Sequence, residues 1–183
     1  INESHNERKK FYESQKQKIE WSEDFDFYAK ASLDFYHYSK KEFYPLIHKI
    51  RTGKDISNQL PSNFYDFRKS INFNDSLLIN YSPFVRYLTN MMNNAAFENN
   101  YQYAANVEKS LEINIKKLHI ADSIFSNDKL KNIVLNNIAF TYLLEDQNLN
   151  NNNKFFEIYH TLSSDKSKHN EISKISNAIQ FLK

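Results

Sequence analysis

Apolar residues recur along most of this chain at steps of three, four and seven, the spacing of one face of an α-helix. The longest such segment starts at Ser22, which reads as an N-cap. Glu23, Asp24 and Asp26 follow in the first turn, where acid suits the helix dipole. Phe25, Ala29, Leu33, Tyr36, Phe43, Ile47 and Ile50 then define one face, widened by Phe27, Tyr28, Phe35, Tyr38 and Tyr44. A helix apolar around so much of its girth packs on more than one side. Pro45 predicts a kink or a split, because it removes a backbone donor and crowds Lys41. Ser39 and Glu42 have capping-box spacing and predict a break near residue 40. Gly53 ends the segment where a C-terminal glycine belongs.

Upstream, Ser4 and Glu7 also match a capping box, and a polar helix is predicted from there to Ile19. Its apolar content is only Phe11, Tyr12 and Ile19, which suits a lead-in or linker helix over residues 1–20. Residues 54–59 read as a loop. After Pro61, residues 63–71 predict a short helix with Phe64, Phe67 and Ile71 on one side. Residues 72–74 predict a turn, and residues 75–80 a further helical turn or two. Ser82 as N-cap and Pro83 at the first helical position open a helix towards Asn94 through Phe84, Tyr87, Leu88, Met91 and Met92. Asn93 and Asn94 are either a break or a polar face.

Residues 95–125 are helical by pattern. Val107, Leu111, Ile115, Leu118 and Phe125 form one stripe, and Ile113, Ile120 and Ile124 a second. Ser126, Asn127 and Asp128 are the clearest boundary in the chain. The next helix covers 129–145, with Leu130, Ile133, Val134, Ile138 and Tyr142, flanked by Leu135, Phe140 and Leu144. These two helices predict an antiparallel hairpin and the hydrophobic centre. A polar loop at 146–153, a helix at 155–162, a turn at 163–168 and a helix at 171–182 complete the chain. No fixed period of about 34 residues recurs. The expectation is therefore all-α: a single domain holding an irregular array of about seven to nine helices packed as antiparallel helical hairpins.

Composition narrows the class. Hydrophobic residues make up 40% and charged residues 25% of 183 positions, which excludes wholesale disorder. Gly53 is the only glycine, against the needs of a Rossmann fold, a P-loop or a β-barrel. Net charge is +2 with the signs interspersed, and no basic run exceeds Arg8-Lys9-Lys10, so no nucleic-acid footprint is present. There is no cysteine, hence no disulfide, thiolate metal site or thiol catalysis within the chain. No apolar run approaches the roughly 18 residues of a transmembrane segment. The start at Ile1, without an initiator Met, suggests a piece of a longer protein. The abundance of Asn, with a run from Asn150 to Asn153, fits base-composition bias rather than prion-like behaviour.

Candidate chemistry is sparse. His37, Glu42 and His48 share a segment, but spacings of five and six do not put all three on one face. His119 and Asp122 are three apart and both within reach of one ion, yet two ligands do not make a metal site. Asp24 with Asp26, and Glu108 with Glu112, read as helix-start or surface carboxylates rather than an acid–base pair held across a substrate. No Gly-x-Ser-x-Gly elbow occurs. Neither catalytic residues nor a cofactor or metal site are therefore expected. The 12 Tyr, 15 Phe and single Trp, Trp21, are the most unusual feature. They build a core of large side chains or line a groove for a protein partner, with Tyr28, Tyr65, Tyr81 and Tyr101 as the candidates for exposure.

The run Leu60-Pro-Ser-Asn-Phe-Tyr-Asp-Phe67, then Ile71-Asn-Phe-Asn-Asp75, Tyr81-Ser-Pro-Phe84 and Asn127-Asp-Lys-Leu-Lys-Asn132, resemble the helical region of bacterial TlpA-like thiol-disulfide oxidoreductases. In that family a helical segment precedes a thioredoxin-like domain, and the closing Asn177-Ala-Ile-Gln-Phe-Leu-Lys183 resembles the place where that domain begins. The resemblance covers most of the chain from about residue 20 onward. The family's chemistry sits in a Cys-x-x-Cys pair of the thioredoxin-like domain, so no catalytic residue carries over. The resemblance implies a non-catalytic helical domain in a periplasmic or membrane-anchored setting, one that spaces, orients or recruits a client protein. The alternative is a free-standing tetratricopeptide-like interaction module.

Overall fold

The computed structural model of the protein describes residues 2–97, 107–145 and 148–181. Among these it is all-helical, without strands. Seven α-helices run in order: α1 Asn2–Lys16, α2 Glu23–Thr52, α3 Ser82–Phe97, α4 Val107–Ile124, α5 Asp128–Glu145, α6 Leu149–Leu162 and α7 Lys166–Phe181. Short 3₁₀ helices occupy Ser57–Gln59 and Asp66–Ser70. Backbone contacts gather the chain into two compact units. One comprises residues 1–71 with 77–94, the other residues 72–76 with 95–183.

In the first unit, α2 is the spine. Ser22 caps it by accepting a hydrogen bond from the Phe25 amide at 3.2 Å. Gly53 terminates it at φ +70°, with its N–H bonded to the Lys49 carbonyl. That left-handed conformation is open to glycine at little cost. The expected break near residue 40 does not occur: one 30-residue helix passes through both Ser39 and Pro45. Ser39 and Glu42 face inward rather than capping a helix start, so partners elsewhere in the fold override the local signal. The predicted apolar face is also displaced. Phe25, Tyr36, Phe43 and Ile50 are exposed, while Ala31, Phe35, His37, Ser39, Glu42 and Pro45 are buried.

α3 begins at Ser82 and keeps Pro83 in its first turn, where the missing donor has no intrahelical acceptor to lose. Phe35 of α2 meets Phe84 and Tyr87 of α3 at ring-centroid distances of 4.9 and 5.6 Å, and Tyr38 stacks on Phe67 at 4.6 Å. Large rings thus fill the space between these elements. α1 starts before Ser4, so the Ser4–Glu7 pair lies inside the helix and does not cap it. The short helix expected at 63–71 takes 3₁₀ form, and residues 76–80 form turns rather than a helical turn.

In the second unit, α4 and α5 are joined by residues 125–127 and pack as the expected hairpin, with α6 against both and α7 against α5 and α6. Leu118, Phe125, Leu130, Leu135, Tyr142 and Phe155 lie in its core. Tyr142 stacks on Phe155 at 4.2 Å. The polar stretch expected to be a loop up to Asn153 instead starts α6. Asn148 accepts from the Asn151 amide as N-cap, and Asn151 and Asn152 are buried. Likewise α7 starts at Lys166, well before the expected Glu171, because Asp165 accepts from the Lys168 amide and opens the helix earlier. Within the predicted helix over 95–125, residues 98–106 lie outside the described residues. So do Leu182 of the last predicted helix and residues 146–147 of the predicted polar loop.

Candidate functional site

The most developed polar site lies in the first unit, where three elements meet around Glu42. Its side chain projects inward from the middle of α2 and is 1% exposed. Arg68, in the 3₁₀ helix Asp66–Ser70, donates from Nε to Oε1 at 2.7 Å and from Nη2 to Oε2 at 2.5 Å. Asn94 of α3 donates from Nδ2 to Oε2 at 2.7 Å. One turn earlier on the same helices, Asn90 donates to Ser39 Oγ at 2.7 Å. Tyr65 lies under the Arg68 guanidinium, with Cζ 4.3 Å from the ring centroid. Burial pushes the Tyr65 and Tyr87 hydroxyls up from their ordinary values, which keeps both protonated at neutral pH.

Chemically this is a closed site. Both Glu42 oxygens accept charge-assisted hydrogen bonds, and the paired, desolvated carboxylate has no open side for a substrate proton. Its geometry joins the 60–71 segment, α2 and α3. Lys41 adds to the join: its ammonium sits 4.6 and 4.8 Å from the Phe64 and Phe67 ring centroids.

The remaining candidate residues do not converge with Glu42. His37 is buried and stacks on His5 of α1, with centroids 3.9 Å apart. His48 Nδ1 lies 3.1 Å from the Lys54 carbonyl, at the end of α2. His119 is exposed, and Asp122 accepts from Lys131 at 3.1 Å. Asp24 is exposed, whereas Asp26 accepts from Lys16, Tyr12 and Trp21. These bonds, with Lys16 first, hold the Asp26 carboxyl down at about 2. Glu112 is exposed and pairs with Lys116, and the Glu108 side chain and Tyr101 lie outside the described residues. Tyr28, Tyr65 and Tyr81 are half-buried, and Tyr81 donates to the Tyr28 carbonyl at 2.9 Å.

A second polar centre occupies the other unit. Tyr159 donates to Asn136 Oδ1 at 2.6 Å, and Asn136 donates to Asp165 at 3.1 Å. Asn132, one turn earlier on α5, accepts from the Ser163 hydroxyl and the Ser164 amide. Beside it, His160 and His169 stack at 4.4 Å. Sequence reasoning missed these pairings and the Arg68–Glu42 pair, because the partners lie on different elements and no local spacing links them. Among the described residues, no group of three or more His, Asp or Glu is placed to hold a metal ion, and no helix is long and apolar enough to cross a membrane.

Comparison of the chain with protein-family models, with curated proteins and with solved structures finds no match.

Proposed function

We propose that this chain is a non-catalytic helical domain of a TlpA-like envelope thiol-disulfide oxidoreductase, and that it positions or recruits partners for a thioredoxin-like domain. One observation supports the reading above others: the residues of the resemblance act in packing and capping. Phe67 stacks on Tyr38, Arg68 beside it binds Glu42, and Phe84 is fully buried. Asn74 accepts from the Ser126 and Asn127 amides at 2.9 and 3.0 Å. Asn127 in turn accepts from the Lys129 and Leu130 amides, and Asn132 receives Ser163 and Ser164. A motif set spent on architecture suits a scaffold whose chemistry lies in another domain. The absence of cysteine is consistent with that division of labour.

A free-standing interaction module is the second reading. It draws on Phe25, Tyr36, Phe43 and Ile50, which leave apolar surface exposed along α2. The test is the intact mass and digest of the product made from its own gene. A product heavier by a domain and carrying a Cys-x-x-Cys peptide supports the oxidoreductase reading. A product that ends at Lys183 overturns it.

A further inference from the structure

α1 is held to α2 at two places of different chemistry. Near its C-terminal end, Asp26 of α2 accepts from Tyr12 at 2.5 Å and from Lys16 at 2.8 Å, and also from Trp21 at 3.1 Å. Near its N-terminal end, the His5 ring lies face to face with the buried His37 ring, at 3.9 Å and an interplanar angle of 13°. The charged groups around that stack are Arg8 and Lys9 from α1, with Asp34 and Lys41 from α2. Asp34 Oδ1 already lies 3.1 Å from Lys9 Nζ, and it is 3.7 Å from His5 Nε2.

We propose that the His5–His37 stack is an acid-sensitive clasp that releases the N-terminal half of α1 from α2 while the Asp26 anchor holds the C-terminal half in place. Two neutral rings stack without penalty. A proton on either brings a cation into a buried contact already flanked by Arg8, Lys9 and Lys41, and two protons place like charges face to face. Among the described residues, the carboxylate that acts on these rings, Asp34, is shared with Lys9 and does not offset them. Burial, and then His5 and Lys41, hold the His37 imidazole down at about 4; burial and Lys9 lower that of His5. A ring whose proton affinity is lowered in the closed state favours closure above its ordinary value of 6.5, and that preference fades as pH falls towards 4. Asp26 keeps its charge to about 2, so the second anchor outlasts the first. The freed half-helix is too short to stay helical by itself, so release exposes its amides.

The test is NMR hydrogen exchange on the full 183-residue chain. Amides 6–9 and 10–16 are followed at about pH 7.5 and about pH 4.5, corrected for intrinsic exchange. The expected result is a loss of protection of at least roughly tenfold over 6–9, little change over 10–16, and no pH-dependent loss in His37→Phe or His5→Phe, either of which keeps an aromatic face without a titrating one. Unchanged protection over 6–9 in the native chain overturns the proposal. So does an equal loss in a folded phenylalanine variant, equal loss over both halves of α1, or a directly titrated His37 at or above its ordinary value.

Discussion

Arg68 grips Glu42 with two parallel hydrogen bonds across 26 positions of sequence, and so fixes an irregular segment to the middle of the longest helix. The pair is asymmetric. Glu42 is fully buried, while the Arg68 side chain remains 30% exposed. Removing the arginine therefore strands a buried carboxylate, whereas removing the glutamate leaves a guanidinium that turns to water. Arg68→Ala should lower unfolding stability by about 3 kcal/mol, and Glu42→Leu with Arg68→Met should recover most of that loss. Urea unfolding of the two variants beside the native chain checks the order.

Asp26, together with Asp55, should contribute to the acid limb of the first unit. Hydrogen bonds from Lys16 and Tyr12 hold the Asp26 carboxyl down at about 2, against 3.8 when free. A depressed carboxylate stabilises the fold above its free value, and that contribution is lost as pH falls from about 4 through about 2. Trp21 donates to the same oxygen as Tyr12 and is the only tryptophan, so its fluorescence reports the event. The emission should shift with a midpoint near 2 in the native chain and lose that transition in Asp26→Asn.

The α4–α5 turn rests on two asparagines. Asn74 Oδ1 accepts two successive backbone amides, and Asn127 Oδ1 accepts two more at the start of α5. Asn127→Ala should cost about 1 kcal/mol as a lost N-cap. Asn74→Ala should cost about 1–2 kcal/mol, because it leaves two backbone donors without their acceptor. Thermal unfolding followed by circular dichroism measures both.

Tyr159 is fully buried, and its hydroxyl is matched to Asn136. Tyr159→Phe preserves the ring but takes that donor from Asn136 Oδ1. The expected loss is about 1–2 kcal/mol. A Tyr159→Phe, Asn136→Leu double variant should show clear non-additivity, since the two positions share one bond.

The stack of His160 on His169 adds an acid-sensitive contribution in the second unit. Burial lowers the His169 imidazole first, with His160 and Lys166 adding to it, against a smaller opposing pull from Asp165. His160 is lowered by burial and by Lys166. The stability these rings confer is present above 6.5 and declines as pH drops below it. Urea midpoints between about pH 7.5 and about pH 5 should fall less in His169→Phe than in the native chain, if both variants are compared at equal salt.

Much of the helical architecture was legible from local chemistry. Ser22 and Gly53 bound α2 because capping depends on residues within a turn of the helix end. Residues 125–127 separate α4 from α5 for the same reason, and the apolar stripe through Leu130, Val134 and Ile138 is buried as its spacing implies. Local signals failed where polar residues had distant partners. Ser39 and Glu42 look like a helix start, yet Asn90 and Arg68 draw them into the interior. Asn151 and Asn152 look like loop residues and are buried in α6.

Amino-acid order alone determined that this chain is helical, that it carries no cysteine and where most helices stop, because periodicity, composition and caps act over a few residues. The three-dimensional fold decided which face of α2 turns inward, which histidines stack and which carboxylate is buried. Those outcomes depend on partners tens of positions away. A buried polar group is stable only when such a partner reaches it, and no short-range pattern records that it does.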